Sequence, residues 1–209
     1  MSYQVVVIGG STGGFNALAS LIGMLPADFP LPILVVLHLH ANDSEGFSEH
    51  LARETQLTVI EPCDKQVMLP GFIYTAPANY HMLMERDGSI VLSVDEKINW
   101  SRPSIDVLFE SGARAWQAQV IAILLSGANR DGMQGMLAVH QAGGFTLVQE
   151  PASAESPIMP QAAITAGAVN EVLNTESIGK RLMALVSLGN YQPKRLSLDR
   201  KLAVKDLRK

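Results

Sequence analysis

Residues 5–14 read VVVIGGSTGG, in which four β-branched residues lead into a turn rich in glycine. Short apolar runs of this kind are typical of a strand buried on both faces, as in a parallel sheet. A helical pattern of apolar residues follows over residues 15–24. A strand, a glycine turn and a helix begin a βαβ unit, so this stretch predicts an α/β protein with a functional loop at the carboxyl edge of its first strand.

The same alternation continues along the chain and predicts a doubly wound, mostly parallel sheet in three Rossmann-like layers. Residues 82–85 and 90–94 are the exception, because the Asp87-Gly88 pair between them is typical of a hairpin and indicates a small antiparallel excursion. The other predicted strands are residues 4–8, 33–37, 57–60, 72–75, 119–125, 145–149 and 168–173. The predicted helices are residues 15–24, one capped by Asp43 or Ser44 and ending near residue 55, 101–116, 132–141, a short one after Pro160, and 177–188.

The chain has 209 residues, of which 47% are apolar and 17% charged, and this suits one domain with a sizeable core. We predict that this domain covers residues 1–189. Membrane insertion is not expected, because no apolar stretch approaches the roughly 20 residues that a spanning helix needs. The only cysteine, Cys63, excludes an internal disulfide, and the N-terminus lacks a secretion signal, which together indicate a reduced, cytoplasmic protein.

Charge is unevenly distributed along the sequence. Residues 190–209 hold seven Lys or Arg against two Asp, a net charge of +5, whereas the other nine basic and eighteen acidic residues give −9. The acidic body argues against a nucleic-acid partner. We interpret residues 190–209 as a basic, solvated C-terminal tail, with docking onto an acidic partner as the alternative.

Residues 9–13, Gly-Gly-Ser-Thr-Gly, match the nucleophile-elbow pattern G-x-S-x-G between a predicted strand and a predicted helix. Such a turn lifts Ser11 out of the sheet beside helix N–H groups, which stabilise a developing oxyanion. Thr12 follows directly and offers its N–H or hydroxyl to the same site. A phosphate-binding loop is the competing interpretation, but the dinucleotide pattern G-x-G-x-x-G and the Walker lysine are both absent.

A serine nucleophile needs a base, and His38 and His40 follow the second predicted strand at the same edge of the sheet. Their spacing of two places both on one face, so it does not decide between them. His50 and His140 fall in helical patterns and are interpreted as surface residues. His81 precedes a β segment and is a weaker candidate.

The third group of a serine triad is a carboxylate that holds the histidine in one tautomer. Asp131 ends the loop of residues 126–131, which follows the predicted strand 119–125. The alternative role of Asp131 is to cap the helix that follows it, and the two roles are compatible. Asp106, near the start of another predicted helix, is interpreted as structural because a helix N-terminus favours a negative charge.

Six ordered motifs make the chain resemble the catalytic domain of the CheB family, the protein-glutamate methylesterases of bacterial chemotaxis, over roughly residues 4–188. The motifs are VVVIGGSTGGFNAL, VVLHLH, LPGFIYTAPANYHM, RPSIDVLFESGA, LLSGANRDGMQGM and GGFTLVQEPASAESPIMPQAA. The resemblance assigns the nucleophile to Ser11, the base to His38 rather than His40, and the carboxylate to Asp131. It also implies that the backbone N–H of Ala128 faces the oxyanion.

The sequence departs from the family pattern at Leu37, where the family has Gln, and at Ala128-Asn129, where the family has Met-Gly. Full-length family members also carry an N-terminal phospho-receiver domain, whereas this sequence begins with Met at the catalytic core. We therefore expect a stand-alone catalytic domain, with an excised piece of a larger protein as the alternative, and phosphorylation-controlled unblocking has no visible counterpart in this sequence.

The resemblance implies hydrolysis of glutamyl γ-methyl esters on a methyl-accepting chemoreceptor, with release of methanol and with glutamine deamidation as a companion activity. It implies no cofactor and no metal ion. The main alternative is a family member that binds a receptor or signalling partner without catalysis. A nucleotide-binding α/β protein is the second alternative.

Overall fold

The structure, a computed structural model, describes residues 2–38 and 46–188. The strands are β1 Val5–Gly10, β2 Ile33–Leu37, β3 Thr58–Ile60, β4 Phe72–Thr75, β5 His81–Met84, β6 Ile90–Ser93, β7 Val120–Leu124, β8 Phe145–Gln149 and β9 Glu171–Leu173. The α-helices are α1 Gly14–Ile22, α2 Phe47–Ala52, α3 Ile105–Trp116, α4 Met133–Gln141, α5 Ile158–Thr165 and α6 Thr175–Leu188. Short 3₁₀ turns cover Gln117–Gln119 and Pro151–Ser153.

Seven of the strands form one parallel sheet in the order β3-β4-β2-β1-β7-β8-β9, and β5 pairs with β6 as a separate antiparallel hairpin. Successive side chains of β1 point to opposite faces of this sheet. Val6 and Ile8 pack with α1 and α6, whereas Val5 and Val7 pack with α3, α4 and α5. The predicted three-layer α/β fold and its antiparallel excursion are therefore confirmed.

The register of the central strands aligns their carboxyl ends. Gly10 of β1 pairs with Leu37 of β2, and Gly9 pairs with Leu124 of β7. The loops that follow these three strands therefore emerge side by side at one edge of the sheet. Because β2 and β7 flank β1 on opposite sides, the winding of the chain reverses at β1, and a crevice forms at such a point.

α3 begins at Ile105 rather than at residue 101, which corrects the predicted boundary. Ser104 is its N-cap, with an extended backbone (φ −112°, ψ 137°), and its hydroxyl accepts a hydrogen bond from the Val107 N–H. The cap satisfies an N–H that has no partner inside the helix, and this sets the helix start. Pro103 consequently precedes the helix instead of occupying its first turn.

Other boundaries differ from the predictions by a few residues. α5 begins at Ile158, so Pro160 lies in its first turn, where a missing N–H costs nothing. β9 covers only the last three residues of the predicted strand 168–173. Asp43 and Ser44, which were expected to cap α2, lie outside the described residues.

Within residues 2–38 and 46–188, no helix combines the length and the apolar character needed to cross a bilayer. The basic tail, residues 190–209, lies outside the described part of the chain. The predicted domain boundary at residue 189 therefore stays a prediction.

The contact between α3 and α4 depends on the absence of a side chain at Gly135. A Cβ there would lie 2.5 Å from the Phe109 Cβ and 3.2 Å from the backbone of Asp106. Neither group can move without shifting α3, so Gly135→Ala is expected to lower the free energy of unfolding by about 1–3 kcal/mol. Urea denaturation followed by circular dichroism measures this change.

Gly179→Ala in α6 is the matched control. A Cβ at Gly179 would meet the mobile end of the Met24 side chain, and Ala favours a helix by about 1 kcal/mol over Gly. The free energy of unfolding should therefore stay the same or rise. Equal losses in the two variants would contradict the proposed tight α3–α4 contact.

Candidate active site

The glycine turn after β1 places Ser11 at the carboxyl edge of the sheet. The Ser11 N–H donates to the Ser126 carbonyl at 2.8 Å, and the Ser11 carbonyl accepts from the Gly14 N–H at 2.7 Å. Gly13, the N-cap of α1, has φ 74°, a conformation that glycine adopts at little cost. The sharp turn leaves Ser11 half-buried at the start of α1, as the nucleophile-elbow pattern predicts.

The tight packing around this turn explains its glycines. A Cβ on Gly9 would lie 2.3 Å from Ile105 Cγ2, and one on Gly10 would lie 2.9 Å from Leu37 Cδ1. α3 and β2 therefore approach the end of β1 more closely than any side chain would allow. The close approach brings the start of α3 to the edge that carries Ser11.

His38 extends the ladder between β1 and β2 by one residue. Its N–H donates to the Gly10 carbonyl at 3.0 Å, directly after the Gly10–Leu37 pair. His38 therefore follows β2 at the register position where Ser11 follows β1. Neighbouring parallel strands lie about 4.8 Å apart, so the two residues are close neighbours.

Asp131 is fully buried beneath this edge and is surrounded by donors from the region around the start of α3. Its Oδ2 accepts from the Ile105 N–H at 2.7 Å. Its Oδ1 accepts from the Ser104 hydroxyl at 2.9 Å and the Asp106 N–H at 3.2 Å. Asp131 thus caps α3 and not α4, whose N-cap is Gly132 without a side-chain hydrogen bond. The interpretation of Asp131 as a cap of its own helix was wrong.

The carboxylate of Asp131 also contacts His38. His38 Nε2 lies 2.9 Å from Asp131 Oδ2, with 13% of the His38 side chain exposed. The ring N–H is not aligned on that oxygen closely enough to form a regular hydrogen bond. The other ring nitrogen, Nδ1, lies 3.2 Å from the amide nitrogen Nδ2 of Asn129.

The two buried carboxyls at this site, Asp131 and Asp106, have pKa values that are shifted in opposite directions. Burial by itself raises the pKa of Asp131, but the close contact with His38 Nε2 and the hydrogen bond from the Ile105 N–H bring that pKa below its ordinary value. Burial, aided by the charge of Asp131, raises the pKa of Asp106. Asp131 is therefore ionised at neutral pH, as a group that orients an imidazole must be.

Asp106 has the structural role that was predicted. It is 4% exposed, and its Oδ1 accepts from the Gly135 N–H at 2.8 Å, which ties α3 to α4. Asn99 connects the two carboxyls, because its Nδ2 donates to Asp106 Oδ2 at 2.9 Å and to Asp131 Oδ1 at 3.0 Å.

No hydrogen bond joins the Ser11 hydroxyl to the His38 ring, although both residues are described. Catalytic hydrogen bonds are often long or poorly aligned without substrate. The Ser11, His38 and Asp131 triad therefore remains a prediction, with its His38–Asp131 half in contact.

The remaining histidines have other surroundings. His81 is buried against α3, where its Nδ1 accepts from the Ser104 N–H at 3.2 Å and its Nε2 lies 3.0 Å from the Glu96 carbonyl oxygen. His50 is exposed and His140 is half-buried, both on helices. His40 lies outside the described residues.

Thr12 and Ala128, the predicted site-lining residues, are exposed on the two loops beside Ser11. The buried hydroxyl of Ser126 donates to the Thr12 carbonyl at 2.7 Å and accepts from the Ser156 N–H at 2.9 Å. Ser126 thereby ties the glycine turn to the loop after β7. Within the described part of the chain, the Ala128 N–H has no hydrogen-bond partner, so it is available to an oxyanion.

A cleft of about 500 Å³ opens beside His38. Its walls include Phe47, Glu61 and Lys97, and Trp100 stands at its mouth with 95% of its surface exposed. His38 lines this cleft, whereas Ser11 does not.

The surroundings of the glycine turn disfavour the phosphate-binding alternative. A Cβ on Gly13 would lie 2.9 Å from Glu155 Oε2, so a carboxylate stands against the turn. A bound phosphate would therefore meet a negative charge where such loops normally offer only N–H groups.

Sequence reasoning predicted Ser11, His38 and Asp131 as site residues but missed the residues that contact them. Ser104 could have been found, because a serine after a proline and before an apolar helical pattern is an N-cap signal. Asn99 carried no such signal, since its two carboxyl partners lie seven and thirty-two residues away in the chain. Asn129 was noted only as a departure from the family pattern.

Asp131→Asn is expected to lower stability in a pH-dependent way. The folded-state pKa of Asp131 lies below its ordinary value of 3.8. Its stabilisation is therefore present above that value and is lost as pH falls toward the folded-state pKa. We expect the variant to lose about 1.5–3 kcal/mol at neutral pH, the usual contribution of hydrogen bonds to a charged group.

Urea denaturation of both proteins at neutral and at strongly acidic pH measures the difference. Burial, the largest cause of the raised pKa of Asp106, is the same in both proteins, so the contribution of Asp106 largely cancels. A stability difference that is the same at both pH values would refute the ionised, hydrogen-bonded state of Asp131.

Comparisons with known proteins agree with the family resemblance of the sequence over most of the chain. Residues 6–182 match the family described as CheB methylesterase. A relative from Leptospira interrogans is 38% identical over 185 residues, which cover 88% of this chain and 96% of the relative. The protein-glutamate methylesterase/protein-glutamine glutaminase of Photorhabdus laumondii is 37% identical over 191 residues, which cover 90% of this chain and 54% of that protein.

The protein-glutamate methylesterase FrzG of Myxococcus xanthus is 35% identical, and the match covers 89% of this chain and 56% of FrzG. The chain thus spans nearly all of the Leptospira relative and about half of the other two. The crystal structure of the Thermotoga maritima CheB methylesterase catalytic domain superimposes with a TM-score of 0.83 at 32% identity, covering 90% of this chain and all of that domain. The chain therefore belongs to the CheB methylesterase family.

Proposed function

We propose that the chain hydrolyses γ-methyl esters of glutamate on a methyl-accepting chemoreceptor, with Ser11 as nucleophile, His38 as base and Asp131 as the group that orients His38. The proposal rests on one observation above the others. A buried carboxylate contacts an imidazole that follows β2 at the register position where Ser11 follows β1. A serine at the start of a helix, a histidine and an ionised aspartate are the parts that acyl transfer requires.

The first half of the reaction transfers the acyl group to Ser11. The Ser11 oxygen attacks the ester carbonyl while His38 Nδ1 takes the hydroxyl proton, because Nε2 faces Asp131. The carbonyl oxygen becomes an oxyanion, for which the Ala128 N–H and the start of α1 are the proposed donors. When the tetrahedral intermediate collapses, methoxide leaves and takes the proton from His38 as methanol.

The second half of the reaction releases glutamate. His38 removes a proton from water, whose oxygen attacks the acyl-enzyme, and the same proton then returns to the Ser11 oxygen as the ester bond breaks. In both halves the Asp131 carboxylate stabilises the imidazolium electrostatically without taking its proton.

The substrate and the location belong to the proposal as well. The Photorhabdus relative is named for protein-glutamate methylesterase and protein-glutamine glutaminase activities. A site that attacks a glutamyl ester also suits a glutaminyl amide, with ammonia in place of methanol, so we include deamidation. We also place the protein in the cytoplasm, which suits a chain whose single cysteine, Cys63, is exposed and unpaired.

Ser11→Ala should abolish demethylation. Loss of a triad nucleophile lowers turnover by a factor on the order of 10⁶. Methanol release and mass spectrometry of a methylated receptor, before and after incubation, measure this effect. Ser153→Ala, at an exposed serine outside the site, is the matched control and should retain full activity. Near-normal turnover by Ser11→Ala would end the triad assignment.

Comparison of two histidine variants tests the choice of base. His38→Ala should lose activity about as severely as the serine variant, because members of a triad act as a unit. His40→Ala should stay within a few-fold of the unaltered protein. Turnover of an activated ester measures both, and a requirement for His40 alone would refute the assignment of His38.

A further inference from the structure

The side-chain amide of Asn129 has a defined orientation. Asn129 Oδ1 accepts a hydrogen bond from the Asp131 N–H at 3.0 Å. A backbone N–H is only a donor, so the atom facing it must be the amide oxygen. The amide nitrogen Nδ2 therefore points to the other side, where it lies 3.2 Å from His38 Nδ1.

The contact between Asn129 and His38 assigns the proton on the ring. An amide NH₂ is only a donor, so His38 Nδ1 accepts through its lone pair and carries no hydrogen. On the other side of the ring, Nε2 lies 2.9 Å from the Asp131 carboxylate, which suits a protonated nitrogen. Both neighbours select the same neutral tautomer, with Nδ1 as its basic atom.

Asn129 and Ser11 need the same lone pair. In the proposed reaction the Ser11 hydroxyl must donate to His38 Nδ1 before its oxygen attacks. That nitrogen has one lone pair, and the Asn129 amide occupies it. The Ser11 hydroxyl, by contrast, makes no hydrogen bond with the described His38 ring.

We propose that Asn129 is a positioning residue that caps His38 Nδ1 in the resting protein, so that Ser11 becomes reactive only when the amide gives up this lone pair. The inference rests on the proposed function, because it takes Ser11 as the nucleophile. Asn129 touches no reacting atom of the substrate and acts only through His38. The cap preserves the productive tautomer and at the same time slows the first proton transfer.

Asn129→Ser removes the amide nitrogen that contacts His38 and keeps an oxygen that accepts from the Asp131 N–H. A serine hydroxyl still accepts from the Asp131 N–H, as in a serine turn, but it lacks the amide group that reaches His38. Because the amide hydrogen bond no longer has to be displaced, the maximal rate of Ser11 phosphonylation should rise about two- to tenfold. The half-saturating concentration of the reagent, an activated aryl phosphonate, should not change.

Asn174→Ser is the matched control. Asn174 Oδ1 accepts from the Ser177 N–H at 2.9 Å at the start of α6, a role that serine also fills. This exposed position is not part of the candidate site, so its variant should be phosphonylated at the unaltered rate. If Asn129→Ser is phosphonylated no faster than the unaltered protein, the proposal that Asn129 caps His38 is wrong.

Nitrogen-15 NMR of the His38 ring gives a second test that needs no activity. In the unaltered protein Nδ1 should resonate as an unprotonated, hydrogen-bonded nitrogen, and in Asn129→Ser it should move toward the position of a free lone pair. A protonated Nδ1, or no hydrogen bond to it in the unaltered protein, would refute the inference even if the variant failed to fold. Absence of Ser11 labelling in every protein would instead refute the proposed function, and the NMR result would still decide on the cap.

Discussion

The carboxylate of Asp131 is buried at the start of α3, where the N–H groups of Ile105 and Asp106 and the hydroxyl of Ser104 donate to it. An unpaired carboxylate in such a place would be neutral, because removing a charge from water is costly. The donors reverse this preference and lower the pKa of Asp131. The charge therefore depends on α3, and the loop after β7 cannot leave α3 without exposing an uncompensated anion.

The Asp131 carboxylate also contacts His38, at the carboxyl edge of the sheet. Because β1 and β2 are in parallel register up to Gly10 and Leu37, the residues that follow them, Ser11 and His38, are the two groups that exchange a proton in the proposed reaction. Ser126 adds a separate tie, since its hydroxyl contacts the loop of Thr12 and the loop of Ser156. The geometry of the site thus comes from the ends of rigid strands, supported by hydrogen bonds between their loops.

The segment before α3 contributes strain as well as hydrogen bonds. Asn99 has φ 51°, which asparagine tolerates, and its amide reaches both Asp106 and Asp131. Trp100 has φ 63°, which is unusual for a bulky side chain and costs on the order of 1–3 kcal/mol. Two backbone hydrogen bonds between Ile98 and Ser101 close the turn that contains it, and the Trp100 side chain stands exposed at the cleft beside His38.

The sequence by itself determined the class of fold, most strand positions and the candidate residues Ser11, Asp131 and either His38 or His40. These features follow from local rules, because β-branched runs form buried strands, glycine turns join them to helices, and polar residues at strand ends meet at one edge. Resemblance to a family then chose His38 over His40, which spacing had left equal. Only the tertiary structure decided that Asp131 caps α3 rather than α4, that Asn99 links two carboxyls, and that the Asn129 amide faces His38 Nδ1. Each of these contacts joins residues distant in the chain through side chains whose direction is set by packing, and neither propensity nor periodicity carries information about such pairs.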